Sequence, residues 1–265
     1  MKKSIMFLLI VSITFSIFLL SPTEKEVRNG ETIDLGEIGP GQTITLYIAP
    51  EVVTGGRYGQ GGRYDFAKVI SITPGWKHED SKLLGYPLQV RITAAKDAKE
   101  GDYYSNITVI DENYGEMLDN VTLITKVRIV YDVMDLTVSP MEQTVRPKEQ
   151  ANTSITIHNK GTTGDVFRIW TEGSERWDYN KEIYVAANST ETVVYTIQEE
   201  EEEKYIIKIK VQSLASDIIN DERIVNVRFK SDLIADYKST NNGLIIFSLF
   251  EGLIYSISGF ISNLF

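Results

Sequence analysis

The chain has 265 residues, 42% of them hydrophobic and 24% charged, which suffices for one or two cores of ordinary domain size. A formal net charge of -10 argues against nucleic acid or anionic lipid headgroups as the main partner, because both call for a basic face. With no cysteine and only His78 and His158, there is no disulfide framework, no thiol nucleophile and no thiolate metal site, and Ser-His-Asp machinery is nearly excluded. No cofactor and no metal site are expected.

In chain order, Lys2 and Lys3 precede an uncharged run from Ile5 to Leu20. A basic start before about 16 apolar residues is a secretory signal or an uncleaved signal anchor, assigned here to residues 1–22. Leu19 and Leu20 leave no small-x-small cleavage site at the end of the run, and Thr14-Phe-Ser16 fits that pattern only by cutting inside it. Cleavage and retention both stay open. Either way the bulk of the chain is expected outside the cytoplasm, at the cell membrane.

Residues 23–133 read as a first β-sandwich. Ile33-Asp-Leu35 and Thr43-Ile-Thr-Leu-Tyr-Ile48 alternate apolar and polar residues around a Gly-Pro-Gly turn, as do Leu88 to Ile92, Tyr103 to Ile110 and Val121 to Val130. Between Gly55 and Tyr64 the tetrapeptide Gly-Gly-Arg-Tyr occurs twice. Glycine lets the backbone approach another molecule, and Arg57, Tyr58, Arg63 and Tyr64 offer guanidinium and stacking groups for a glycan or an anionic partner. The alternative is an inter-strand loop whose tyrosines pack on the sandwich edge. Asp111 to Asp119 has the carboxylates of a calcium loop, but its glycine falls fifth between two strand-like runs, which favours a hairpin turn.

Residues 134–230 read as a second sandwich. Ser154 to Asn159, Val166 to Trp170, Ile183 to Val185, Thr192 to Ile197 and Tyr205 to Val211 are short β-branched and aromatic runs separated by turn residues. Gln198 to Lys204, with five consecutive glutamates, belongs at a solvated hairpin tip. The two halves share landmarks: Pro40 answers Pro147, and Trp76 to Tyr104 spans the same distance as Trp177 to Tyr205. A tandem duplication is the preferred reading. At Pro147 and Asn159-Lys-Gly161 the second half resembles Ig-like modules of the CARDB and α-galactosidase-associated type, common on archaeal and bacterial surface proteins. That resemblance covers about 75 residues, implies an Ig-like fold and carries no catalytic residues across.

Trp76, Trp170 and Trp177 are expected to fill or close cores, with Trp170 the best candidate for an exposed sugar platform because Phe167 and Ile169 take the inward face. Asn106, Asn120, Asn152 and Asn188 fit the Asn-x-Ser/Thr glycosylation acceptor, and export makes them candidate sites.

After a polar linker, 231–243, residues 244–265 are apolar apart from small and amide residues, Tyr255 and Glu251. At 100° per residue the large apolar side chains fall within an arc of about 160°, and Ser248, Glu251, Gly252, Ser256 and Gly259 lie opposite. Small residues at this spacing let another helix approach, so the segment is expected to be an amphipathic or transmembrane helix. About 13 apolar residues at about -0.3 to -0.6 kcal/mol each narrowly outweigh one buried Glu at about +3.

The expected architecture is all-β: two tandem Ig-like β-sandwiches between an N-terminal signal or anchor helix and a C-terminal membrane-associated helix. The expected function is a membrane-tethered structural or binding protein, not an enzyme, associating with itself or with a membrane partner through the C-terminal helix. An extracellular glycan-binding accessory module is the alternative.

Overall fold

The computed structural model describes residues 16–51, 63–111 and 120–231. Arg57, Tyr58, most of the calcium-like stretch, residues 1–15 and the whole C-terminal segment with Ser248, Glu251, Gly252, Ser256 and Gly259 lie outside the described residues. Among the described residues no helix is long and apolar enough to cross a membrane.

Two β-sandwiches follow one another. The first contains β1 (Ser16–Ser21), β2 (Lys25–Arg28), β3 (Thr32–Ile38), β4 (Thr43–Ala49), β5 (Phe66–Ser71), β6 (Lys77–Glu79), β7 (Leu88–Thr93), β8 (Gly101–Ile110) and β9 (Val121–Ile129). Its sheets run β2-β1-β4-β7-β6 and β3-β9-β8-β5. The second contains β10 (Met134–Ser139), β11 (Glu142–Val145), β12 (Gln150–Asn159), β13 (Asp165–Glu172), β14 (Asn180–Val185), β15 (Ser189–Gln198), β16 (Glu203–Ser213) and β17 (Asn220–Phe229). Its sheets run β10-β12-β15 and β11-β17-β16-β13-β14.

Period-two patterning produces these strands. On β4, Ile44, Leu46 and Ile48 are buried between half-buried neighbours, and on β16 Ile207, Ile209 and Val211 are buried while Lys208 and Lys210 face outward. Each sandwich closes its own core, one from Ile17 to Ile129 and the other from Val133 to Phe229. In both, a short strand pairs in parallel with the last strand: β3 with β9, and β11 with β17. Among the described residues every other strand pair is antiparallel.

The structure differs from expectation at the end of the N-terminal apolar run. Residues 16–21 lie within the segment assigned to a signal or anchor, yet they form β1, which pairs with β2 and β4. Ile17 and Leu19 are buried in the first core, whereas Phe18 is 41% exposed. An unbroken apolar run conceals this alternation, because both faces carry hydrophobic residues. The paired landmarks also differ in part. Pro40 and Pro147 both lead the turn into β4 and β12, but Tyr104 is exposed, and Tyr103 is the residue whose ring meets Trp76 at 5.0 Å. The glutamate run departs from a uniformly solvated tip. Glu199 is 3% exposed and accepts from the Tyr205 hydroxyl at 2.6 Å, the Glu200 amide at 2.9 Å and Arg176 at 2.8 Å. The Tyr205 hydroxyl, and then the Glu200 amide, hold its carboxyl below the usual carboxylate value.

A built junction joins the sandwiches. Gly39-Pro40-Gly41-Gln42 turns from β3 into β4, with Gly41 at φ 71° and the Gln42 amide donating to the Gly39 carbonyl at 3.3 Å. Gln42 Oε1 accepts from the Gly39 amide at 2.7 Å, and its Nε2 donates to Asp165 Oδ2 of the second sandwich at 2.7 Å. Ser213 Oγ donates to the same carboxylate oxygen at 2.6 Å, and all three side chains are buried. A Cβ at Gly41 would lie 2.1 Å from the Ala215 carbonyl oxygen, so only glycine permits this approach. Beside it the Asn159-Lys-Gly161 motif shapes its loop: Asn159 Oδ1 accepts from the Gly161 amide at 3.0 Å, and its Nδ2 donates to the carbonyls of Thr163 and Val185. That loop sets Thr162 Oγ1 to donate to the Glu37 carbonyl at 2.9 Å and Thr163 Oγ1 to the Thr43 carbonyl at 2.6 Å.

Candidate functional site

Of the Gly-Gly-Arg-Tyr stretch, Arg63 and Tyr64 are described, and Arg63 forms an isolated antiparallel bridge with Glu51. Tyr64 then turns inward and is fully buried, with its amide donating to the Pro50 carbonyl at 2.7 Å. It is a core residue and is corrected from the expected ligand set. Arg63 is exposed, and its guanidinium lies 5.8 Å from the ring centroid of Tyr86, itself 71% exposed.

Tyr86 is held there by the connection from β6 to β7. Asp80 Oδ1 accepts from the Val69 amide at 2.9 Å, and Ser81 Oγ accepts from the Ala67 amide at 2.8 Å, so this connection caps the outer edge of β5. The Leu84 amide donates to the Asp65 carbonyl at 2.8 Å, and the chain then turns into Tyr86 and Pro87. The result is a cleft of about 400 Å³ lined by Glu79, Asp80, Lys82, Tyr86, Gln89 and Arg91, together with Gly85 and Pro87. Arg91 Nη1 meets Glu79 Oε2 at 3.4 Å with both groups well exposed, a contact too screened to contribute much stability. An aromatic platform beside amide, guanidinium and carboxylate groups can stack on an apolar ring face while exchanging hydrogen bonds with hydroxyls. Tyr86, Gln89 and Arg91 were missed from sequence because they stand on the β6–β7 connection and on β7, with no motif linking them to Arg63.

Trp170 lies half-buried on the outer face of β13, as its alternation with Phe167 and Ile169 implied. Its ring is already engaged, with Arg168 and Lys210 each 6.0 Å from the centroid. Its Nε1 donates to Glu172 Oε1 at 3.4 Å, and Lys210 meets the same carboxylate at 2.7 Å, holding the Glu172 carboxyl below its usual value. Trp76 is buried in the first core and Trp177 packs against the second. A larger cleft, about 570 Å³, lies beside the junction between Asp34, Glu37, Lys126, Arg128 and Thr162. Both of its cations are already paired with Asp102, at 3.2 and 2.8 Å, which leaves little charge for a ligand.

Among the described residues no group of three His, Asp or Glu side chains could hold a metal ion. Asn120, Asn152 and Asn188 are exposed, and Asn106 is half-exposed on the outer face of β8. Asn152 Oδ1 accepts from Thr196 Oγ1 at 2.7 Å. His158 Nδ1 lies 3.0 Å from Thr190 Oγ1, a cross-strand contact.

No protein-family profile matches the chain, and no curated protein matches it. Among solved structures, a chimeric titin Z1Z2 functionalised with an exogenous decorin peptide aligns with 83% of this chain and 100% of its own, at 9% identity and a TM-score of 0.37. The ASH/PapD-like domain of human CEP192 aligns with 37% of this chain and 84% of its own, at 11% identity and a TM-score of 0.26. A β-glucosidase from Listeria innocua aligns over 36% of this chain but 16% of its own, at 15% identity and a TM-score of 0.25. TM-scores this low carry no functional argument.

Proposed function

We propose that this chain is a membrane-tethered extracytoplasmic binding protein in which two Ig-like sandwiches act as one rigid arm. The observation that carries the reading is the buried Gln42, Asp165 and Ser213 junction, because a flexible linker would leave these groups in water. A fixed angle between modules suits a protein that presents surfaces at a set distance from a membrane. The packing of two mainly antiparallel sheets around one core in each module supports the Ig-like assignment of both. The apolar sequence at residues 244–265 supplies the tether. Alkaline carbonate extraction of membranes tests it: the full chain stays in the pellet and a chain ending at Asn242 is released. Release of the full chain would overturn the tether.

The cleft at Tyr86 favours a second reading, a glycan-binding accessory module. Glycan arrays on the full chain in detergent test it, with saturable binding lost in Arg63→Ala combined with Tyr86→Ala. Binding that survives both substitutions sinks this reading.

A further inference from the structure

Eight strands form the edges of the four sheets among the described residues, and seven of them are blunted. β2 and β11 have 4 residues each and β6 has 3, while β10 and β14 have 6 each, with Asp135 on the first and Lys181 and Glu182 on the second. β3 and β5 carry register breaks, between Asp34 and Glu37 and between Val69 and Ser71. Shortness, charge and bulges are the means by which sheet edges avoid pairing with another chain.

β15 is neither short nor broken in register. It is 10 residues long, and its register with β12 is unbroken from Ser189 opposite Asn159 to Gln198 opposite Gln150. Its one charged residue is Glu191, and Thr192, Val193, Val194, Thr196 and Ile197 are β-branched. The corresponding edge of the first sandwich, on β7, is covered by β6. On β15 no described strand takes that place.

We propose that β15 pairs antiparallel with β15 of a second copy, joining two three-stranded sheets into one of six strands. A two-fold axis perpendicular to the sheet must place residues of the same face opposite each other. An axis through Val194, which is 56% exposed, sets Val194 against Val194 and Thr192 against Thr196 on the outer face, both favourable cross-strand pairs. Val193 then meets Tyr195, and Glu191 meets Ile197, so no carboxylate faces another. The acidic stretch Glu199 to Glu203 of each copy passes opposite residues 185–189, which carry no charge. A register slipped toward the C-terminus would set the two acidic stretches side by side, so charge selects the register. The pairing does not depend on the membrane tether.

The chain has no cysteine, so single cysteines report the contact cleanly. In full-length protein in its membrane, Val194→Cys under mild oxidation gives a disulfide dimer at least about tenfold more abundant than exposed Ile70→Cys on the first sandwich. Coexpressed Thr192→Cys and Thr196→Cys crosslink to each other, which reads the register directly. Val194→Lys, a solvent-facing change that leaves the melting temperature alone, sets like charges in contact and raises the dimer dissociation constant about tenfold by sedimentation in detergent. The Val194→Cys crosslink persists with Gly252→Leu and in the chain ending at Asn242, separating it from association through the C-terminal segment. Crosslinking at the Ile70→Cys level, or an adduct whose mass is not twice the chain, would overturn the proposal.

Discussion

The two sandwiches share a strand plan, apart from β2, which has no counterpart in the second, and they part company in the strand after β5 and β13. After β5 the first chain segment crosses to the opposite sheet, where β6 pairs with β7; after β13 the second stays in its own sheet, where β14 pairs with β13. Side chains account for the split. β6 is Lys-His-Glu with every residue exposed, so it has nothing to add to a core, and Asp80 and Ser81 occupy the β5 amides that a fifth strand would need. β14 brings Ile183 and Val185 against the second core. The same plan therefore yields a capped edge and a cleft beside Tyr86 in one module, and an open edge on β15 in the other. Both proposed surfaces trace to the strand that differs.

The turns before β4 and β12 make a second contrast. Both begin with a residue and Pro at the first two positions and place the third at positive φ, Gly41 at 71° and Lys148 at 72°. In both, the fourth residue's side chain accepts from the first residue's amide, Gln42 at 2.7 Å and Glu149 at 3.3 Å. Only the first turn is pressed against another domain, and there the third residue is glycine and the fourth an amide with a donor left to reach Asp165.

These contrasts can be broken by substitution. The largest effect is expected at β1: Leu19→Ala destabilises the first sandwich by about 2–5 kcal/mol in denaturant titration, because its fully buried side chain leaves a cavity. No change there would place residues 16–21 outside the folded unit. Gly41→Val, which meets both a left-handed backbone and the Ala215 carbonyl, costs about 3 kcal/mol and splits calorimetric unfolding into two transitions as the modules undock. Asp165→Ala strands the Gln42 amide and the Ser213 hydroxyl and costs about 1–3 kcal/mol, with a double-mutant cycle against Gln42→Ala giving non-additive values. Lys148→Gly, at the turn that touches no second module, changes stability by less than about 1 kcal/mol and leaves a single transition.

The second sandwich should also weaken at alkaline pH. Tyr195 is buried, its hydroxyl donating to the Trp177 carbonyl at 2.6 Å, and burial pushes its pKa up to about 12. Between the ordinary tyrosine value near 10 and that raised value, the unfolded chain releases the proton first, so stability present below pH 10 is lost as pH rises. Tyr195→Phe flattens the fall in melting temperature across this window, though not fully, since burial also raises Tyr179 and Tyr205. The lowered carboxyl of Glu199 works in the opposite sense: its contribution, present above the usual carboxylate value, is lost as pH falls through the lowered one. Glu199→Gln makes the acid limb of the same profile shallower.

The β class of both sandwiches was legible in the sequence, because period-two alternation on β4, β7, β12 and β16 leaves each strand one apolar face to bury. Turn chemistry was local enough to read as well, and Pro40, Pro147 and the Asn159-Lys-Gly161 loop stand where a residue-by-residue reading puts them. Tertiary structure alone decided what those faces met. Nothing in Gly-Gly-Arg-Tyr distinguishes Arg63, exposed beside Tyr86, from Tyr64, buried in the core. Nothing within five glutamates singles out Glu199, whose partners Arg176 and Tyr205 come from the β13–β14 connection and from β16. The run Ile5 to Leu20 is apolar on both sides, so only pairing with β2 and β4 shows that residues 16–21 form a strand. Alternation assigns a residue to a face, but the choice of neighbouring strand is made by hydrogen bonds between distant parts of the chain, and that choice left the edge of β15 open.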